Sequence, residues 1–267
     1  MSEPATHKNQ NKDENQDNKV QDQPIRPAAT VIVVRDAEPQ YEIFMLRRTN
    51  QAAFAGGMYV FPGGRVDEHD HSQLYAGHHL EPGEHQSGQR QALGKNWRAY
   101  WIAGIRETFE EAGILLAYDR NGRIFEFNTS NQTRFDRYRQ QIHDHEITLV
   151  DICEKENLTL AIDLIHFYNR WVTPVGRPRR FDTRFFITAT PEAQSGLHDG
   201  KETIDSCWIS PKKALQLHEN HEFGMMRVTA MQLREFENYK TAAEFLDMAA
   251  SNTAFPTNNP SGSAIQD

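Results

Sequence analysis

The 267-residue sequence has only two cysteines, Cys153 and Cys207, and neither has a partner or ligand pair at CxxC spacing, which leaves a disulfide framework or zinc knuckle unsupported. Long apolar runs are missing too: the longest, Ala28 to Val34, falls well short of the about 20 residues that cross a bilayer, so no membrane span is expected. Basic charge is in deficit, with 29 Lys and Arg against 37 Asp and Glu, a net charge of -8. Coating a nucleic acid needs dense Lys and Arg to release counterions, so no nucleic-acid partner is expected. An anionic small molecule stays compatible, because a divalent ion can dominate the charge of one site. No repeat of 20 to 50 residues is visible, which argues against solenoids and propellers. Residues 2–26 lack an apolar secretory stretch and carry acids foreign to transit peptides. The C-terminus carries no Ser-Lys-Leu-like address. A cytoplasmic location is therefore expected.

Both ends are polar, which explains the low mean hydropathy of -0.72. Residues 1–27 and 251–267 are expected to be disordered tails around a single domain over 28–250. Within it, Ala28 to Arg35 and Tyr41 to Arg48 read as adjacent strands, and Met58 to Phe61 as a third that ends at Pro62-Gly63-Gly64. The His-, Gly- and Gln-rich stretch His69 to Lys95 has no period and reads as a long loop. Trp97, Trp101, Ile105 and Phe109 recur every four residues, which predicts a helix over Trp97 to Ala112 stopped by Gly113. A strand over Ile114 to Tyr118 and two helical stretches around Phe135 to Ile142 and Leu149 to Cys153 follow. Strands resume at Ile165 to Val172, Arg180 to Thr188 and Thr203 to Ile209. Helices then start at Ser210-Pro211, Arg227 and Thr241. The order suggests an α/β or α+β fold, a mixed sheet sandwiched between helices, with extra helices at the C-terminal end.

The segment Arg106-Glu107-Thr108-Phe109-Glu110-Glu111-Ala112-Gly113-Ile114 carries the chemistry. On a helix, Glu107, Glu110 and Glu111 crowd one side, and like charges at that spacing cost a few tenths of a kcal/mol per pair. Bound Mg²⁺ or Mn²⁺ would offset this, since hard cations prefer carboxylate oxygens. Arg106 can pair with Glu110 one turn on and also adjoins Glu107, which would hold a carboxylate in its liganding rotamer. A solvated helix laced with ion pairs is the plainer alternative.

Together with the upstream Pro62-Gly63-Gly64 turn, this pattern resembles the box of the Nudix hydrolases, G-x5-E-x7-R-E-U-x-E-E-x-G-U, where U is bulky and aliphatic. Thr108 departs from the first U. The box is also split: Gly64 and Arg106 are 42 positions apart, 28 more than the 14 of an uninterrupted box, which places an insertion at about 69–96. Asp70 falls where the first-half acid belongs when counted from Gly64, with Asp67 and Glu68 equally available. An inserted box resembles the coenzyme A diphosphatase type branch, as do Phe61 to Asp67, Trp171-Val172-Thr173-Pro174 and Arg179 to Phe186. A further coenzyme A motif is incomplete: Gly57 and Phe61 to Gly64 agree and Arg48-Thr49 approximates its earlier Arg and small residue, but Ala53 replaces its second Arg.

The resemblance implies metal-dependent hydrolysis of a nucleoside diphosphate derivative such as coenzyme A, acyl-coenzyme A, ADP-ribose or a dinucleotide, by attack of water on phosphorus. It assigns Glu107, Glu110 and Glu111 to the metal, Mg²⁺ or Mn²⁺, with Arg106 supporting them. Glu111 or Glu202 is the general base. Gly63 and Gly64 let the backbone approach the substrate or metal, and Arg48, Arg179 and Arg180 are candidates for phosphate. The acid and histidine cluster of residues 67–71 is expected to be a mobile rim rather than a separate metal site. The alternative is a non-catalytic Nudix-fold module that senses a nucleotide. Homodimerisation is left open.

Overall fold

The apolar run near the N-terminus becomes the middle of the sheet. β1 (Ile25–Arg35) buries Val31, Ile32, Val33 and Val34 completely, an unbroken apolar stretch because both faces of the strand are covered. The computed structural model describes residues 23–52 and 54–258, so residues 1–22 and 259–267 of the expected tails lie outside the described residues. Inside them the boundaries shift. β1 already starts at Ile25, and residues 252–258 pack on the fold, because Phe255 stacks on Phe167 with ring centroids 5.0 Å apart.

Along the chain follow β2 (Glu42–Arg48), β3 (Tyr59–Val60), β4 (Gly63–Arg65), α1 (Ser87–Leu93), α2 (Trp97–Ala112), β5 (Ala117–Tyr118), α3 (Gln132–His143), α4 (Leu149–Glu156) and β6 (Thr159–Leu160). The second half holds β7 (His166–Val172), β8 (Arg180–Ala189), β9 (Thr203–Ile209), α5 (Pro211–Glu219), α6 (Arg227–Phe236), α7 (Ala242–Ser251) and β10 (Thr257–Asn258). Among the described residues the main sheet runs β10-β7-β8-β1-β2-β3, with β4 also on β1 and β9 also on β2. β1 and β8 are parallel from Ile25↔Arg180 to Val34↔Ala189, while β4 lies antiparallel to β1 with Gly64 opposite Ala29. The pairing of β5 with β6 stands apart.

One apolar cluster lies between the sheet and α2, built on Val31, Trp101, Ile105, Phe109 and Phe186. A second lies on the opposite face under α5 to α7, around Ile32, Ile43, Phe236 and Phe245. This is the expected mixed sheet between helices. Trp101, Ile105 and Phe109 are each at most 1% exposed, and full burial of such a side chain contributes about 1.5–3 kcal/mol. Gly113 takes the left-handed conformation, φ 66°, and its N–H closes the last turn of α2 on the Phe109 carbonyl. Thr108 fits its departure from the motif: it is buried, and its hydroxyl donates to the Gly104 carbonyl at 2.7 Å. No helix among the described residues is long and apolar enough to cross a membrane.

Three expectations need correction. The strand expected over Met58 to Phe61 is reduced to Tyr59–Val60, and the Gly63-Gly64 turn is itself a strand paired to β1. The strand expected over Ile114 to Tyr118 is limited to Ala117–Tyr118. The stretch His69 to Lys95 is not a plain loop: it folds into short 3₁₀ turns and α1. Two buried glutamines dock it. Gln86 Nε2 donates to the carbonyls of Ile162 and Ile165, at 2.9 and 3.0 Å, and Gln89 accepts the Phe167 N–H of β7. Polar side chains that pair with backbone leave no hydrophobic period to read.

Candidate active site

The last two turns of α2 and the short strand β4 form the site. β4 fits between β1 and α2 because Gly63 and Gly64 have no side chains. A Cβ on Gly63 would lie 2.5 Å from the Ala29 carbonyl oxygen, and one on Gly64 2.4 Å from Glu107 Oε1. The Gly63 N–H donates to Glu111 Oε2 at 2.9 Å. Both glycines thus bring backbone against the carboxylates of α2.

Arg106 organises these acids. Its Nη1 donates to Glu107 Oε1 at 2.8 Å and to Glu110 Oε1 at 3.1 Å, and its Nη2 donates to the Arg65 carbonyl at 2.8 Å. Asp70 completes the set, taking Nε on Oδ1 and Nη2 on Oδ2, and is itself completely buried. Asp70 also receives the Asp67 N–H at 2.8 Å, so this end of the insertion is a packed turn held by Arg106, not a mobile rim. Burial alone would favour loss of the Arg106 proton, but the charges of Glu107, Asp70 and Glu110 outweigh it and hold the guanidinium charged.

The carboxylates remain undercompensated. Burial, only partly offset by Arg106 and reinforced by Glu110, pushes Glu107 up to about 7. Burial also raises Glu110, against the pull of Arg106. Glu111 is raised well above the usual carboxylate range by burial and by Glu107, despite the Gly63 N–H and Arg48. Desolvated hard oxygens that lack positive charge are a donor set that suits a divalent cation. Among the described residues, though, no three His, Cys, Asp or Glu side chains already surround a common point. Arg106 draws Glu107 and Glu110 to itself, and Glu111 turns to Gly63. Ligation would draw on Oε2 of Glu107 and Glu110, which lies outside the Arg106 bonds.

Arg48, at the end of β2, bridges Glu111 and Glu202. Its Nη1 is 3.6 Å from Glu111 Oε1 and its Nη2 is 3.5 Å from Glu202 Oε2. Glu202 precedes β9, half exposed, and its carbonyl accepts the Thr49 N–H at 3.0 Å. Arg48, Glu111 and Glu202 are therefore brought together. Arg179 and Arg180 are placed elsewhere, where β8 begins. Arg179 is exposed in the preceding turn, while Arg180 is buried and donates to the carbonyls of Thr173 and Gln23. The described bonds of Arg180 run to main-chain carbonyls at the start of β8.

Two residues of the site were left undecided or unseen by sequence. Asp70 had a weak signal, its count from Gly64. Arg139, on α3, had none: its Nε donates to the Glu110 carbonyl and its Nη2 to those of Glu111 and Leu197, each at 2.7 Å.

The family model described as the NUDT19 Nudix domain matches residues 25–235. The chain is 25% identical over 212 residues to the acyl-coenzyme A diphosphatase NUDT19 of Xenopus laevis, an alignment covering 68% of this chain and 56% of that protein. With the human protein of the same name it is 26% identical over 239 residues, covering 76% of this chain and 62% of that protein. The chain thus spans about three-fifths of the length of these relatives. Among solved structures, the NUDIX hydrolase of Alicyclobacillus acidocaldarius superposes with a TM-score of 0.72 at 24% identity, over 84% of this chain and 96% of that one, which establishes a shared fold.

Proposed function

The chain belongs to the NUDT19 Nudix domain family, and from that membership we propose that it hydrolyses the diphosphate linkage of a nucleoside diphosphate derivative, with coenzyme A or acyl-coenzyme A as the substrate class. The domain doing so would be the single unit expected over 28–250, extended to Ile25 at the start of β1 and to Asn258 in β10, with Mg²⁺ or Mn²⁺ as cofactor. One observation carries the reading: three desolvated carboxylates of α2 are gathered beside the Gly63-Gly64 strand, Glu107 and Glu110 by the buried Arg106 and Glu111 by the Gly63 N–H. The names of the curated relatives support the substrate class.

Glu107, Glu110 and Glu111 would hold the cation. When bound, it supplies charge neutralisation for the diphosphate and lowers the pKa of a water. Arg106, kept charged by its acids, sets the rotamers of Glu107 and Glu110. The Gly63 N–H fixes Glu111 by its Oε2. Glu202, half exposed and paired to Arg48, would take a proton from the attacking water, while Arg48 would offer its guanidinium to the departing phosphate. Phosphoryl transfer needs positioning and charge stabilisation more than a covalent intermediate, and this site offers the former.

The test is a panel of coenzyme A, an acyl-coenzyme A, ADP-ribose and a dinucleotide, each with Mg²⁺ or Mn²⁺, with the products identified. Cleavage of the coenzyme A diphosphate into a 3′,5′-phosphorylated adenosine and a 4′-phosphopantetheine product is expected. No product from any member of the panel would overturn the reading. Undiminished activity in Glu111→Gln would overturn the role of the α2 carboxylates.

A further inference from the structure

Arg139 lies outside the motif, on a helix with no place in the chemistry, yet it bonds the backbone beneath it. Its fork satisfies the carbonyls of Glu110 and Glu111, two of the last carbonyls of α2, which have no partner within the helix. The same Nη2 reaches the Leu197 carbonyl, in the segment that leads to Glu202. Gly113 leaves room for it: a Cβ there would stand 3.1 Å from Arg139 Nη1. Burial lowers the Arg139 pKa, and Asp199, Asp136 and the two glutamates partly restore it.

The Leu197 segment is not held by packing of that side chain, which is 61% exposed. Backbone holds it, through Arg139 and through the Leu197 N–H, which donates to the Ala112 carbonyl at 2.8 Å. Two residues on, Asp199 folds the turn that presents Glu202. Its Oδ1 accepts the N–H groups of Lys201 and Thr203, and its Oδ2 accepts that of Glu202. Two weaker ties also reach this turn: the Lys201 to Asp144 ion pair just past α3, exposed on both sides and of small worth, and His143 Nδ1 of α3, 4.0 Å from Asp199 Oδ2. From Glu202 the path returns through Arg48 to Glu111. A closed circuit therefore joins the Glu111 carbonyl, Arg139, Leu197, Glu202, Arg48 and the Glu111 carboxylate.

We propose that Arg139 is a positioning residue that ties the glutamate-bearing end of α2 to the 197–203 segment, and so fixes Glu202 relative to Glu111. The inference rests on the hydrolase reading for its effect on rate, though not for the tie itself. A lysine keeps the charge but cannot serve three carbonyls from one rigid plane.

The experiment compares wild-type protein with Arg139→Met and Arg139→Lys in two measurements. Hydrogen exchange reads the tie without reference to activity: the amides of Leu197, Glu202 and Thr203 should exchange at least 10-fold faster in Arg139→Met, and less so in Arg139→Lys. Steady-state hydrolysis of the substrate found by the panel reads the consequence. There kcat should fall about 10- to 100-fold in Arg139→Met, as for other residues that orient ligands indirectly, with KM within about twofold and partial recovery in Arg139→Lys. Unchanged exchange at those amides, or a wild-type kcat in Arg139→Met, would overturn the proposal. Should the wild-type chain hydrolyse nothing while exchange accelerates as expected, the hydrolase reading falls and the tie stands.

Discussion

Arg106 and Asp70 meet across 36 residues of chain in a two-pronged ion pair, Nε to Oδ1 and Nη2 to Oδ2, both 2.9 Å, with Asp70 completely buried. The inserted segment is thereby fastened to the acidic helix at its N-terminal end, while Gln86 and Gln89 fasten it near its C-terminal end. Removing one partner of a buried pair exposes the other to an uncompensated desolvation cost, here softened because Arg106 keeps Glu107 and Glu110. Asp70→Ala should therefore destabilise the protein by about 3 kcal/mol, at the lower edge of what breaking a buried pair costs. A urea unfolding series read at constant m checks this, and an unchanged midpoint would mean that the pair contributes no stability.

The two glycines of β4 should separate folding from function. A Cβ at residue 63 meets fixed backbone, Ala29 O and Thr30 Cα, at 2.5 and 2.6 Å. Gly63→Ala should cost at least about 1–3 kcal/mol, as forced overpacking does. At residue 64 the nearest atoms are the carboxylate of Glu107, the far end of a flexible side chain. Gly64→Ala should thus fold, with an unfolding midpoint close to wild type, but push Glu107 off its Arg106 bond and reduce metal-dependent hydrolysis by about 10-fold or more. Equal loss of stability in the two variants would contradict this division.

What the sequence reveals here follows from how each contact is encoded. α2 was legible to its last residue because Trp101, Ile105 and Phe109 share one face and Gly113 can take the positive φ that ends it. Glu107, Glu110 and Glu111 were legible because helical spacing alone puts them together. Asp70 was ambiguous because an insertion breaks the counting on which its assignment depends; its complete burial and two-pronged 2.9 Å pair with Arg106 distinguish it from Asp67, which is 3.7 Å from Arg106 and partly exposed. Arg139 was invisible: it acts on main-chain carbonyls, which carry no residue identity. The role of Arg180 stayed open for a similar reason, since a guanidinium bonded to carbonyls and one that meets phosphate look alike in a sequence.

Glu202 should be dispensable for folding and needed for turnover. Its side chain is half exposed and its nearest Arg48 nitrogen is 3.5 Å away, so the pair contributes under about 1 kcal/mol. Glu202→Gln should leave the urea midpoint in place. If Glu202 takes the proton from water, kcat should fall about 100-fold or more, the usual contribution of a general base. A kcat within twofold of wild type would leave Glu111 as the base.

Acid should weaken the fold through His166, far from the carboxylates. Burial, reinforced by the His85 ring 5.8 Å away and only partly offset by Asp163, pushes this imidazole down to about 4, and its Nδ1 has no hydrogen-bond partner among the described residues. The folded chain therefore resists a proton that the unfolded chain accepts near its ordinary value of 6.5. The unfolded state binds more protons between those two values, so stability rises with pH across that window. The contribution is complete above about 6.5 and is lost as pH falls toward 4. A shift of this size corresponds to about 3 kcal/mol between the two limits. Urea melts at pH 7, 5.5 and 4 should show wild type losing that much relative to His166→Phe, in which other titrating groups are shared and cancel. Parallel pH profiles for the two proteins would show that His166 accepts its proton without penalty in the folded state.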